Sequence, residues 1–253
     1  MTVSLSRLEV RSGARAGRRL RCVLALGALS AACGCSLLPP DLAELGAAAP
    51  SEAGSGAPPA TAAGAPVDVA GVRQQLRGLP VKGRAPKTGY DREQFGPAWA
   101  DVDDDRCDSR NQLLQVSLTN VRLEPGNRCV VLKGDLADPY TGRRIHFVRG
   151  GDYANGVDVD HRVALGDAWQ KGAQQLTAGQ RLEFANDPLN LQAVDPSANR
   201  QKGDSDAASW LPQNKSFRCQ YVAGQVEVKV KYGLWITRAE RDAVLRVLQG
   251  CAR

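Results

Sequence analysis

Val157-Asp158-Val159-Asp160-His161, then Asp187-Pro188-Leu189-Asn190-Leu191-Gln192-Ala193-Val194, then Ser197-Ala198-Asn199-Arg200-Gln201-Lys202-Gly203-Asp204: these three pieces of residues 157–204 decide how the chain folds. Val157 and Val159 alternate with Asp158 and Asp160, the period-two pattern of a half-buried strand. Residues 189–194 read as a return strand. Asp195-Pro196 suits the N-cap and first position of a helix, which puts Asn199 in its first turns. Between the strands, residues 166–171 and a segment capped by Thr177, with Gln180 completing a capping box, fill an excursion. Asp160 and His161 are adjacent, so both reach one substrate only where the strand ends and the backbone turns.

An Asp directly before a His, followed at intervals by two Asn and a basic turn, resembles the HNH nucleases of the ββα-metal class. The surrounding residues 159–165, 186–191 and 199–204 are similar to the secreted bacterial branch of that family, whose domain also stands at the C-terminus of some modification-dependent restriction enzymes. The similarity covers most of residues 84–253, including Tyr140-Thr141-Gly142 and the four late cysteines. It implies an α+β fold: a ββα-metal core with additional N-terminal strands and helix, C-terminal helices and disulfide stabilisation. It also implies a metal-dependent endonuclease acting on nucleic acid, DNA before RNA.

The chemistry accounts for these residue types. Cleaving a phosphodiester needs an activated water and a counter-charge for the developing phosphorane, which a divalent ion on hard oxygen ligands supplies. The Asp160 carboxylate and the Asn199 side-chain oxygen are such ligands. His161 titrates in the range needed to accept the water's proton. By the resemblance, Asn190 fixes the loop that carries His161, and Arg200 and Lys202 hold the phosphate backbone. Asn199 stands where the classical motif has His, and oxygen ligation suits magnesium or manganese better than zinc. Two rivals are weaker. A non-catalytic cell-envelope binding module would normally have lost the base or a ligand, and a zinc hydrolase wants more His ligands than two histidines supply.

The amino-terminal third has a different character. Residues 1–35 read as an export signal: Arg7, Arg11, Arg15, Arg18, Arg19 and Arg21 precede the apolar run of residues 23–29. That run falls short of the roughly 20 apolar residues of a membrane-spanning helix. Ser30-Ala31-Ala32-Cys33 resembles a bacterial lipobox with Cys35 as a second candidate, so lipid attachment outside the cytoplasmic membrane and simple secretion both stand open. Removing the leader leaves 27 basic against 26 acidic residues, so the net charge of +6 belongs mostly to the leader. Nucleic-acid binding must therefore rest on a local patch. Residues 36–83, rich in Ala, Pro and Gly, predict a flexible tether, with a short helix over residues 67–79 that Pro80 stops.

The folded domain is expected from Arg84, spanning residues 84–253, with aromatic anchors at Tyr90 and Phe95. The run Asp101, Asp103, Asp104 and Asp105 lacks the Gly and distal Glu of an EF-hand and reads as a solvated loop. Asp108 caps a helix; residues 129–132 and 145–148 read as strands about a turn at residues 138–142, with His146 a strand residue outside the site. Tyr221, Val222, Val226 and Val230 fall at helical spacing and are read as a helix, although the alternation of Val226, Val228 and Val230 would also suit a strand; Thr237 with Glu240 reads as a capping box opening another helix. Four cysteines remain after the leader, an even number that favours disulfides over a four-thiolate zinc site because no CxxC spacing occurs. Three pairings are open. The local ones, Cys107 with Cys129 about one helix-and-strand unit and Cys219 with Cys251 about the last two helices, are expected.

Overall fold

The computed structural model describes residues 66–152 and 156–251. The expected leader with Cys33 and Cys35, and residues 36–65 of the expected tether, lie outside them. No helix among the described residues is long and apolar enough to cross a membrane.

Two antiparallel sheets carry the α+β architecture. The first has the order β1 (Thr119–Leu123), β2 (Val131–Ala137), β3 (Arg144–Val148). Its inner face, with Leu136, Ile145 and Phe147, packs on helix α2 (Ser109–Ser117) through Leu113 and Leu114. Gly134 lies so close to Leu118 that a Cβ there would approach the Leu118 side chain to 3.0 Å. The second sheet pairs β4 (Asp158–His161) with β5 (Leu191–Val194), Asp158 opposite Val194 and His161 opposite Leu191. Between them lie α3 (Leu165–Trp169) and α4 (Ala178–Asn186), and after them α5 (Pro196–Lys202), so strand, strand and helix follow in the expected order. β1 has no counterpart in the sequence reading, and β2 runs on past the expected end at Leu132 because its edge pairs with both neighbours.

Local signals placed the helix starts. The side chains of Asp108, Thr177, Asp195 and Thr237 each accept a backbone N–H of the first turn of their helix, and Thr177 with Gln180 closes a full capping box. At Thr237 the box is half made, because the Glu240 carboxylate turns inward to the buried Lys171 at 2.7 Å. The last two helices are α6 (Arg218–Lys231) and α7 (Arg238–Gly250).

The folded part reaches back past Arg84. Helix α1 (Val69–Gly78) buries Val72 and Leu76, and Leu79 follows, in one cluster with Val222 and Val226 of α6 and Val244 and Leu248 of α7. Val81 then bridges Ile236 in parallel. The short helix was visible as a spacing, but the face it packs on is supplied from residues 150 positions later, which composition alone does not disclose.

Disulfides join Cys107 to Cys129 and Cys219 to Cys251, with Cα–Cα distances of 5.2 and 5.8 Å. The local pairings are the ones found, and no thiolate of the four is left for zinc.

Candidate active site

β4 ends at His161, and Asn190 controls the turn that follows. The Asn190 side-chain oxygen accepts the Val163 N–H at 2.9 Å, and its amide donates to the Phe184 carbonyl at 3.2 Å. Asn190 is fully buried, so these bonds are unscreened by water. They fix the loop that leaves His161.

The imidazole itself is buried, with Nε2 2.9 Å from the Ala185 carbonyl oxygen. A carbonyl can only accept, so Nε2 carries the proton and Nδ1 holds the lone pair of the neutral ring. No described residue bonds Nδ1. The Trp99 ring lies nearly parallel to the imidazole, 9° between planes and 6.0 Å between centroids. Burial pulls the His161 pKa down to about 4, the bond to Ala185 opposing it, so the ring titrates below the near-neutral range expected from the sequence and is a weaker base than a solvated imidazole. His161 forms part of the wall of a cavity of about 440 Å³, whose lining includes Arg92, Glu93, Trp99 and Asn186.

Strand alternation turns Asp158 and Asp160 to the other face of β4, against α5. One Asp160 oxygen accepts the Tyr140 hydroxyl at 2.5 Å and the other the Lys202 ammonium at 2.9 Å. Lys202 also donates to the His161 carbonyl oxygen at 2.8 Å. Burial raises the Asp160 carboxyl above its ordinary value, with the Lys202 charge pulling against it. Tyr140 is pushed well above the ordinary phenol value by burial and by the Asp160 charge, so it stays a neutral donor. The Asn199 amide donates to Asp158 at 2.7 Å, which leaves its carbonyl oxygen as the atom available to a ligand.

The expected residues are thus sorted into two groups. Asp160, Asn199 and Lys202 meet on the α5 side, Asn199 touching Asp158 rather than Asp160, while His161 and Asn190 stand at the strand end beside the cavity. Arg200 is exposed on the last turn of α5. Lys202 departs from its expected role on phosphate: it is 1% exposed and serves as the counter-ion of Asp160. Its position near the end of a short helix suggested a solvated cation; the buried carboxylate drew it inward. Tyr140, Asp158, Trp99 and Arg92 were missed as site residues. Only Asp158 had a local signal, its two-residue spacing from Asp160 on one strand face.

The other expectations outside the site are also placed. His146 is exposed on β3 and pairs with Asp135 at 2.8 Å. Asp101, Asp103 and Asp105 gather their carboxylates within 4.8 Å of one another, each accepting bonds from neighbouring amides.

Comparison with known proteins bears on this geometry. No solved structure matches the chain. An uncharacterized secreted protein of the fungus Arthroderma benhamiae is 36% identical over 178 residues, 70% of this chain and 82% of its own length. That relative is fungal, whereas the resemblance read from the sequence pointed to a bacterial branch. The family described as GmrSD restriction endonucleases, C-terminal domain, matches residues 108–247, more than half of the chain and all of β4, β5 and α5. The chain therefore belongs to the family of the GmrSD restriction-endonuclease C-terminal domain.

Proposed function

We propose that this protein is an extracytoplasmic endonuclease of the HNH type that hydrolyses phosphodiester bonds of nucleic acid, DNA before RNA. One observation carries the reading: in a member of a restriction-endonuclease family, a neutral His161 presents the lone pair of Nδ1 beside an open cavity, its tautomer set by the Ala185 carbonyl. The two disulfides and the secreted fungal relative support an oxidising compartment outside the cytoplasm. Attachment through Cys33 or Cys35 is the lipidated form of the same proposal.

The family implies a divalent ion, and the donors fit one. Asp158, Asp160 and the carbonyl oxygen of Asn199 are hard oxygens on one side of β4, the set that suits Mg²⁺ or Mn²⁺. Asp160 and Asn199 are the proposed holders, with Asp158 aligning the Asn199 carboxamide through its bond to the amide. When bound, such an ion stabilises charge on the phosphorane and the leaving oxygen. His161 takes the proton of the attacking water at Nδ1, and Asn190 holds the loop so that the ring keeps its aim. Lys202 supplies the opposite charge that counters the rise burial imposes on the Asp160 carboxyl. Arg200, exposed on α5, is the proposed phosphate contact near the site.

A second reading has one observation in its favour. Both oxygens of Asp160 already have partners, as they would in a binding module that keeps the fold without turnover. Incubating purified protein with plasmid and with RNA, in magnesium, manganese or chelator, separates the two. The expected outcome is metal-dependent cleavage that falls at least about 100-fold in His161→Ala and is unchanged in His146→Ala. Asp160→Ala and Asn199→Ala should lose both cleavage and metal affinity. No cleavage of either substrate in magnesium or manganese leaves the binding module as the better account, whereas wild-type activity in His161→Ala, or full activity in chelator, overturns the mechanism proposed for His161 and the ion.

A further inference from the structure

We propose that the outward face of the first sheet, through Arg122, Lys133 and Arg144, is the surface that docks the phosphate backbone of the nucleic-acid substrate; this rests on the endonuclease reading above. The sheet has two unlike faces. Leu136, Ile145 and Phe147 point into the core, and the alternate positions Lys133, Asp135, Arg144 and His146 point out. Arg122 of β1 lies directly opposite Lys133, so its side chain shares that outward face. All three cations are exposed, and no described residue takes any of them as a hydrogen-bond or ion-pair partner.

An outward sheet face is ordinarily charged, so the sign is what matters. Beyond the leader the chain is nearly balanced, 27 basic against 26 acidic residues. On this face the one carboxylate, Asp135, is occupied by the Asn120 amide at 2.8 Å and His146 at 2.8 Å. Those bonds do not cancel its charge, which also attracts Arg144, so the face carries an excess of positive charge, three cations against one carboxylate. Arg122 and Lys133 stand opposite each other on neighbouring strands about 4.8 Å apart, while Arg144, opposite Ala137, lies roughly 13 Å farther along the sheet with Asp135 and His146 between, so the three cations lie on a diagonal that reaches separate phosphates.

The face is also fastened to the candidate site. The turn between β2 and β3 sends the Tyr140 hydroxyl to Asp160, the Asp138 carboxylate to the Asp195 N–H at 3.0 Å and the Arg143 guanidinium to the Asp195 carboxylate at 2.7 Å. Asp195 is the N-cap of α5, so the basic strands and the helix that carries Asn199 move as one piece. A backbone held on Arg144 is thereby positioned relative to the residues proposed to cut it.

The test uses the charge-reversed triple variant Arg122→Glu/Lys133→Glu/Arg144→Glu, built into the cleavage-silent His161→Ala background for binding and into the wild type for kinetics. Its control is Arg77→Glu/Arg238→Glu/Arg246→Glu, which makes the same change in net charge at exposed positions of α1 and α7. The probes are a 20-base-pair DNA duplex, a single strand of equal length, and heparin as a non-nucleic polyanion. Binding is read by fluorescence anisotropy over a salt series, and thermal melting checks that each variant folds. The expected result is duplex affinity lowered about tenfold or more in the sheet variant and far less in the control. The slope of log affinity against log salt should fall by about 0.9 for each phosphate contact removed. In the wild-type background KM rises while kcat holds. An unchanged slope and KM in a folded sheet variant overturns the proposal even if the wild type cleaves, and so does loss of heparin binding with duplex binding intact. If the wild type binds duplex through this face yet never cleaves, the docking surface stands and the endonuclease reading fails.

Discussion

Asp160 is a carboxylate out of contact with water whose charge is tolerated because Tyr140 and Lys202 take one oxygen each. Removing Lys202 leaves that charge uncompensated, a change that costs about 3 to 5 kcal/mol in buried pairs. Lys202→Met should therefore lower the urea midpoint at pH 7 in chelator, and magnesium should restore part of the loss because the freed carboxylate becomes a ligand; no recovery in magnesium speaks against ion binding at Asp160. His161 gives a second expectation, in metal-free buffer. The folded chain takes up this proton only near pH 4, whereas the unfolded chain takes it up near 6.5. The unfolded state thus binds more protons between those values, and the stability His161 contributes is complete above about 6.5 and lost as pH falls through about 4. The loss is roughly 3 kcal/mol. Urea titrations of wild type and His161→Gln at pH 7 and pH 4 check it: the variant should show the shallower fall. At this scale the adjacency of Asp160 and His161 and the intervals to Asn190 and Asn199 could be read directly from the chain. Tyr140 could not be, since nothing local says that a turn residue twenty positions upstream will point its hydroxyl at that carboxylate.

Helices α6 and α7 form a hairpin whose open ends are clasped by Cys219 and Cys251. The closed loop spans 32 residues, and losing such a bridge costs about 2 to 5 kcal/mol. Cys219→Ser/Cys251→Ser should melt several degrees lower than the wild type, and Cys107→Ser/Cys129→Ser likewise; an unchanged melting temperature in both would mean that the bridges contribute nothing. Element starts were legible because a cap is local chemistry: Asp108, Thr177, Asp195 and Thr237 each precede their helix within hydrogen-bond reach of its first turn. The interior of α6 was harder, since Val226, Val228 and Val230 alternate as on a strand. The structure shows why: Val222, Val226, Val228 and Lys229 are all buried, so the helix is covered on several sides and displays no single apolar stripe. β1 escaped notice because only Val121 of its five residues is even partly covered.

Across the molecule, α3, α6, α7 and the segment after α5 are joined by a cluster of buried charges. Lys171 meets Asp167, Asp206 and Glu240, each at 2.7 Å, Lys229 meets Glu240 at 3.2 Å, and Arg84 reaches Asp167 and Asp206 from the edge. Three cations face three anions, so neutralising Glu240 leaves excess positive charge in a dry place. Glu240→Gln should cost about 3 to 5 kcal/mol, and nearly as much in 1 M salt as in dilute buffer. Lys87→Gln, which opens the half-exposed pair with Asp204, should cost less than about 1 kcal/mol and lose even that in salt. Chemical denaturation at both ionic strengths measures the difference. The pairing of Val81 with Ile236, and of α1 with α6 and α7, has a consequence for how the polypeptide comes to be folded. The cluster that α1 forms with α6 and α7 cannot assemble when α1 emerges, because most of its members are still to be synthesised. Closing so long a loop is entropically slow. Packing of α1 therefore waits until α6 and α7 have been made, and until then its apolar side is uncovered and open to chaperones.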